Sequence, residues 1–407
     1  MPSITILTQY YPPETGAPQN RLHSLAKYLK KNSWVVTVVT ALPNYPTNEI
    51  FKGYKRRMTL NEKIDEVSVF RTWLFVSSSR NAFSRILNYF SFVITSFIKL
   101  LWLPKTDFLF CESPPLFLGI TAVVMAKIKG AKLIFNVSDL WPESAEKLNI
   151  VTNKWIIGFA YRLEAWIYRN ADLISGQTKG IVSNIRSRFP QKKVVWFPNG
   201  VDLDFFNLKE AKVSALWRKE LSIHEGDFVL LYAGIIGHAQ GLEVILKAAE
   251  ILKNLPVKFV VVGDGPEKEN LLALSNKLKL SNLIFYPNLS KDKIPSLIQV
   301  CDAYIVPLKK LDIFKGAIPS KLFEPLAFAK PILLGVEGEA KELFIDDGKG
   351  GLFFEPENFE DLTDKIQTLY KDRELAKSLG KKGMEFVVTN FDRNKIHENY
   401  CRILSSI

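Results

Sequence analysis

Short runs rich in Val, Ile, Leu and Phe recur along the chain between longer amphipathic stretches. Ile4–Thr8, Trp34–Thr40, Phe108–Cys111, Lys132–Val137, Leu173–Ser175 and Val194–Phe197 form a first series. Phe228–Tyr232, Lys258–Val262, Leu283–Tyr286, Ala303–Val306, Pro331–Leu334 and Gly351–Phe354 form a second. Apolar runs without alternation suit strands covered on both faces, and helical-length segments such as Leu242–Lys253 and Lys268–Leu278 separate them. The pattern predicts an α/β protein of two consecutive doubly wound, Rossmann-like domains. The turn cluster Pro198-Asn-Gly-Val-Asp202 marks the boundary, giving domains 1–200 and 201–385 and a helical segment 386–407 of unassigned packing. Ligands of open α/β sheets bind beyond the carboxyl ends of the strands, so a cleft between two such domains is the expected site.

One stretch departs from this alternation. Ile86–Leu103 holds 13 apolar residues in 18, while Asn88, Ser91, Thr95 and Lys99 trace one narrow polar stripe on a helix. Lys99 and that stripe argue against a full membrane span. Cations at Lys55, Arg56, Arg57, Arg80, Arg85 and Lys105, with Trp102 near one end, suit a helix against lipid headgroups. The alternative is a buried helix of the first domain.

Composition narrows the class. The 407 residues are 47% hydrophobic and 24% charged, which excludes a disordered or fibrous chain. Cys111, Cys301 and Cys401 are scattered and form no CxxC pair, so neither a disulfide framework nor a thiolate zinc site is expected. Strand-like sequence from the first residues, without a secretory signal pattern, predicts a cytoplasmic protein. Residues 1–200 carry 26 Lys/Arg against 12 Asp/Glu, a net +14, and residues 201–407 carry 28 against 30, a net −2. The basic half attracts an anionic surface, be it nucleic acid, lipid headgroups or a phosphorylated substrate. Its cations lack the aromatic interleaving of a nucleic-acid motif, so no nucleic-acid partner is expected.

Four stretches carry candidate chemistry. Tyr10-Tyr-Pro-Pro-Glu-Thr-Gly-Ala-Pro18 places Gly16 between the first strand and a helix over about Gln19–Leu29, where backbone N–H groups approach a phosphate, or where the chain simply turns. Val261-Val-Gly-Asp-Gly-Pro266 repeats that arrangement, with Gly263 and Gly265 open to the same two readings. Ser138-Asp-Leu-Trp-Pro-Glu-Ser144 sets Asp139 and Glu143 past a buried strand, for proton handling at an acceptor hydroxyl or as a helix N-cap. Trp141 stacks on a ligand or packs in the core. In Pro319-Ser-Lys-Leu-Phe-Glu324, Lys321 suits the phosphates of a nucleoside diphosphate and Glu324 its ribose hydroxyls; an intrahelical i,i+3 ion pair is the plainer reading.

With Pro198-Asn-Gly-Val-Asp202 and Gly234 through Gly241-Leu-Glu243, these stretches fall in the order of the retaining glycosyltransferases of the two-Rossmann-domain GT-B type, family 4. The chain resembles that family over nearly its whole length. Ser-Asp-Leu-Trp-Pro-Glu-Ser, Ala-Gln-Gly-Leu-Glu and Pro-Ser-Lys-Leu-Phe-Glu are similar to the bacterial branch that includes N-acetyl-L-fucosaminyltransferases of O-antigen and capsule synthesis. The resemblance implies that Gly16 packs against the donor diphosphate, Lys321 neutralises the leaving UDP, Glu324 holds the ribose and Asp139 faces the acceptor. It places Gly263, Gly265 and Tyr286 at the nucleoside. Four positions depart from the family pattern. Gly316 stands eight residues before Glu324 in place of an acid, Ile235 and Gln240 replace basic residues, and Ser138 replaces a histidine. Diphosphate charge then falls to Lys321, helix N-termini and His238.

The resulting expectation is an enzyme that moves a sugar, an N-acetylated 6-deoxyhexosamine, from a UDP-sugar to a polyprenyl-diphosphate-linked acceptor with retention. It works without metal or other cofactor, peripherally on the inner face of the plasma membrane. The four histidines are scattered, which fits metal-independent transfer. A UDP-sugar 2-epimerase of the same architecture and a non-catalytic two-lobed binding protein are the alternatives.

Overall fold

The computed structural model describes residues 1–45, 48–77, 82–147, 151–203 and 211–407. They form two compact units, residues 1–199 with 394–407 and residues 200–393. The sequence boundary at 386 falls inside a helix, Arg373–Asn390, and the chain leaves the second unit seven residues later.

The first unit is built on an eight-stranded sheet. Its strands are β1 (Ser3–Leu7), β2 (Val35–Ala41), β3 (Thr59–Ile64), β4 (Val67–Thr72), β5 (Phe108–Ser113), β6 (Lys132–Val137), β7 (Leu173–Gly176) and β8 (Val194–Trp196). Their order is β3-β4-β2-β1-β5-β6-β7-β8, parallel throughout except for β3 against β4. The β3–β4 hairpin is absent from the sequence reading. Its strands alternate as an edge does, and Asp65 and Glu66 turn it with both φ values positive, a conformation Asn-Gly signals more plainly. Helices α1 (Ala17–Lys31), α2 (Ala82–Trp102), α3 (Leu118–Lys129), α4 (Glu143–Lys147), α5 (Lys154–Asn170) and α6 (Lys179–Arg188) follow in chain order.

Two cores cover the sheet. Phe92 and Leu100 of α2, Leu118, Ala122 and Met125 of α3, and Leu163 and Ile167 of α5 share one. Leu22, Leu25 and Leu29 of α1 share the other with Tyr400 and Leu404, which belong to the chain's last helix, Arg393–Leu404. Tyr400 stacks on Phe197 with ring centroids 4.1 Å apart.

The second unit carries β9 (Phe228–Ala233), β10 (Val257–Val262), β11 (Leu283–Tyr286), β12 (Ala303–Pro307), β13 (Ile332–Gly335) and β14 (Gly351–Phe353), all parallel, in the order β11-β10-β9-β12-β13-β14. Its helices begin with α7 (Ala211–Glu220), α8 (Glu243–Ile251), α9 (Lys268–Leu278) and α10 (Ile294–Val300). They continue with α11 (Phe323–Ala327), α12 (Glu339–Lys341), α13 (Phe359–Lys371) and α14 (Arg373–Asn390); α15 (Arg393–Leu404) returns to the first unit. In each sheet the order reverses once, between β1 and β5 and between β9 and β12, and the loops after those strands flank the crevice of a doubly wound fold.

At that end of the first sheet lies a buried polar network. Arg21 donates to Glu112 at 2.7 Å, to Ser138 at 2.7 Å and to Asn199 at 2.9 Å. Asn136 donates to the other Glu112 oxygen at 2.8 Å, Ser138 donates to the first, and Ser175 donates to Asn136 at 2.7 Å. Removing one member of a buried ion pair strands the other charge at a cost of ~3–5 kcal/mol, whereas removing both is far milder. Arg21→Met is therefore expected to lower the urea midpoint much more than the double variant Arg21→Met/Glu112→Leu. Equal losses would mean that water reaches the pair.

Candidate active site

The second unit brings its candidate residues together through close backbone approach. Gly234 ends β9 and Gly263 ends β10, both with positive φ, and a Cβ on Gly263 would lie 1.9 Å from the Gly234 carbonyl oxygen. A Cβ on Gly265 would lie 2.2 Å from that of Ile236. No side chain fits either place, so these glycines serve a packing need whatever they bind. The Gly234 N–H donates to Val262 at 2.9 Å and the Gly263 N–H to the Tyr286 carbonyl at 3.2 Å, which extends the sheet into the turns.

Lys321 rises from a 3-10 turn, Ser320–Leu322, into this end of the sheet. Its ammonium donates to the Tyr232 hydroxyl at 2.7 Å and lies 4.1 Å from the centre of the Tyr232 ring. Tyr232 is buried in β9 and passes its own proton to the Ile235 carbonyl at 2.5 Å, so its oxygen presents a lone pair to the lysine. The ammonium also lies 3.2 Å from where a Gly234 side chain would begin. The i,i+3 pair is not formed: Lys321 turns to Tyr232 rather than to Glu324. Desolvation with a neutral partner pushes Lys321 down to about 7. Glu324, on α11, is held above the usual carboxylate range by burial, opposed by the positive charges of Lys291 and Arg393.

Other expected residues lie apart from this pair. His238 is exposed and its Nδ1 sits 2.8 Å from a carboxylate oxygen of Glu267. The Tyr286 side chain turns to α7, donating to Glu220 and meeting Trp217 edge-on at 5.5 Å; only its carbonyl faces Gly263. Among the departures, Gly316 has nothing within 4 Å of a Cβ, and Ser138 belongs to the Arg21 network. Tyr232 escaped the sequence reading because a Tyr near the end of a buried strand reads as core.

In the first unit, Gly16 is the extended N-cap of α1, and Gln19 folds over it with its amide oxygen 2.4 Å from a Cβ position. The loop before it is pinned by Glu14, which accepts from the Asn44 and Tyr45 N–H groups at 2.8 Å each and from Tyr11 at 3.2 Å. Burial outweighs those donors and pushes Glu14 up to about 6. Asp139 is solvent-exposed, accepts from the Ser144 hydroxyl at 2.9 Å and is raised by partial desolvation and the nearby Glu143. It precedes α4 without being its cap. Glu143 pairs with Lys147 at 2.6 Å, and Trp141 packs edge-on to Phe117 at 5.8 Å. Among the described residues no group of three or more His, Cys, Asp or Glu is placed to hold a metal ion.

Comparison with known proteins decides the family. Residues 213–386 match the family model for glycosyl transferases group 1, and residues 16–200 match that for a glycosyl transferase 4-like domain. Together the two matches span most of the chain, and the protein is a glycosyltransferase. It is 27% identical over 326 residues to the glycosyl transferase WcaI of Escherichia coli strain K12, a protein named for colanic acid biosynthesis; the match covers 78% of this chain and 79% of the relative. It is 25% identical over 292 residues, 71% of this chain and 74% of the relative, to an N,N'-diacetylbacillosaminyl-diphospho-undecaprenol alpha-1,3-N-acetylgalactosaminyltransferase of Campylobacter jejuni. Among solved structures, sucrose-phosphate synthase of Thermosynechococcus elongatus superposes with a TM-score of 0.78 at 16% identity, covering 100% and 99% of the two chains. Anabaena HepE, solved with UDP and glucose, superposes with a TM-score of 0.72 at 18% identity over 100% of both. The glycosyltransferase thus has the GT-B fold, and it is an enzyme rather than a binding protein.

The glycine contacts make a structural prediction. Gly263→Ala drives a Cβ into the Gly234 carbonyl at a positive φ and should cost roughly 2–3 kcal/mol, or about 4–12 °C in Tm for a unit of this size. A Tm equal to the parent's would show that the two strand ends can separate freely.

Proposed function

We propose that this glycosyltransferase moves a sugar from a UDP-sugar to a polyprenyl-diphosphate-linked acceptor in the assembly of a bacterial surface polysaccharide, with retention and without metal. One observation carries the reading: an ammonium with only a neutral partner, held at the carboxyl end of a parallel sheet beside two glycine turns. Such a group lacks a counter-charge, and a diphosphate supplies one. The relatives named for colanic acid and for a diphospho-undecaprenol acceptor support the acceptor class, and the UDP in HepE supports the donor. An N-acetylated 6-deoxyhexosamine as the transferred sugar rests on the sequence resemblance, and the space at Gly316 is where a family acid would meet donor hydroxyls.

In the proposed step the bond from the sugar C1 to the UDP oxygen breaks and a bond from C1 to an acceptor oxygen forms. Lys321 stabilises charge building on the leaving diphosphate. Glu324 accepts from the ribose hydroxyls, Gly16, Gly263 and Gly265 let backbone approach the nucleotide, and Asp139 takes up the proton that the acceptor hydroxyl loses. The enzyme works at the inner membrane face, with α2 in contact with lipid. No helix among the described residues is long and apolar enough to cross a membrane.

Lys321 makes the nucleotide reading testable through pH. In the free protein it titrates at about 7, and an anion beside it raises that value, so binding takes up a proton. UDP affinity should therefore fall between pH 7.5 and 9, by up to about tenfold per unit, because the neutral amine binds no diphosphate. Calorimetry on the parent and on Lys321→Met, with EDTA present, checks this. The variant should bind weakly with a flat profile, and parent-like binding by the variant would remove Lys321 from the diphosphate. Asp139→Asn should leave UDP affinity unchanged yet lower turnover by about 10²-fold or more; full activity in the variant would end its acceptor role.

A further inference from the structure

The helices covering one face of the first sheet are inverted relative to ordinary surface helices. On α2 the polar stripe points inward. Asn88 donates to the Phe75 carbonyl at 2.7 Å, Ser91 accepts from the Phe75 N–H at 2.8 Å, and Thr95 donates to the Trp73 carbonyl at 2.7 Å. The Lys99 ammonium meets Asn61 at 3.3 Å and the Phe70 ring at 4.5 Å. The stripe thus satisfies the chain leaving β4, which no strand pairs beyond Thr72. Phe92 and Leu100 fill the core, and what remains for solvent is Ile86, Leu87, Phe90, Ile94, Ile98, Leu101 and Trp102.

The same layer continues beyond α2. Its neighbour α3 leaves Ile128 outside, and α5, which packs on α3, exposes Trp155, Ile156, Phe159 and Trp166. Trp102 is 84% exposed, Trp155 89% and Phe159 61%. Twelve of the twenty exposed large apolar residues among those described lie on these three helices, and none lies on α1 or α15 across the sheet. The asymmetry belongs to one face.

Charge on that face has one sign. α2 and α3 contain no acid, and Lys105, Lys127, Lys154, Arg162 and Arg169 are exposed on or beside the layer. The acids that adjoin it are engaged: Glu164 is buried against Arg188, Glu143 pairs with Lys147, and Glu146 accepts from Tyr161. Tryptophans interleaved with cations are the chemistry of a bilayer interface, where an apolar ring sits among headgroups and a cation meets lipid phosphate.

We infer that α2, α3 and α5 form one continuous docking platform for an anionic lipid bilayer, with the Trp155–Trp166 side of α5 as a second anchor besides α2. This rests on the reading of α2 as a membrane contact and extends it to a whole face. Two anchors fix the tilt of the sheet relative to the membrane, which a single helix does not.

The test uses the full chain and vesicles of phosphatidylcholine with or without phosphatidylglycerol. The altered side chains are exposed, and a melting curve for each variant confirms folding. The parent should sediment with anionic vesicles and far less with neutral ones. Trp155→Ser/Phe159→Ser and Ile94→Ser/Ile98→Ser should each weaken binding by about tenfold or more. Quenching of tryptophan fluorescence by brominated lipid should drop in Trp155→Phe, a variant that preserves the apolar surface. If the α5 variant binds as the parent and Trp155→Phe loses no quenching, the second anchor is overturned while α2 stands. If the parent ignores both vesicle types, the membrane reading itself falls. If the parent is instead a dimer that Trp155→Ser/Phe159→Ser dissociates, with no vesicle binding, the face joins two copies and the platform is overturned.

Discussion

A cation taken out of water without an anion beside it is the constraint around which the second unit is arranged. Arg21 in the first unit and Lys321 in the second are both withdrawn from solvent at the carboxyl ends of parallel strands, yet they are treated oppositely. Arg21 is closed by Glu112, Ser138 and Asn199, and its charge is met by the Glu112 carboxylate. Lys321 has a phenol oxygen and the face of a ring, which orient the ammonium without neutralising it. The first arrangement holds the ends of β5 and β6 together. The second leaves the ammonium without a counter-charge beside the turn at Gly234.

All twelve apolar runs became strands because strands covered on both faces leave continuous hydrophobic sequence, a signal independent of tertiary detail. The β3–β4 hairpin lay outside that signal, since half its surface is wet and Asp65-Glu66 carries no turn signature in composition. The candidate site was legible where its residues sit in a motif, as Lys321 and Glu324 do. It was illegible where chemistry comes from the interior of a strand, as with Tyr232, whose role depends on a hydroxyl pointing along the sheet end. Tyr286 shows the converse: the motif order put it at the nucleoside, but its side chain follows Trp217 and Glu220 of α7. The flanking Arg80 and the Arg85 side chain lie outside the described residues.

The polar stripe of α2 was also visible as a pattern without its meaning. A narrow stripe on an apolar helix is usually the wet side, but here the backbone of residues 73–75 needs hydrogen-bond partners more than water needs a polar face. The helix meets that need and gives up its ordinary amphipathic sense in doing so. Local sequence reports the stripe, and only the unpaired end of β4 says which way it points.

The return of α15 to the first sheet orders the events of synthesis. Tyr400 and Leu404 are wholly buried among α1 residues, and Ser175 shares a 3.0 Å hydrogen bond with Tyr400. Residues 1–199 therefore emerge from the ribosome with one side of their sheet covered only in part, by α1, and they wait for all of residues 200–393 before the missing helix arrives. The second unit is contiguous and can close as soon as it is made. The half that begins first finishes last, and the interval is one in which a nascent chain depends on chaperones or on its own helix α1 to keep that side out of contact with others.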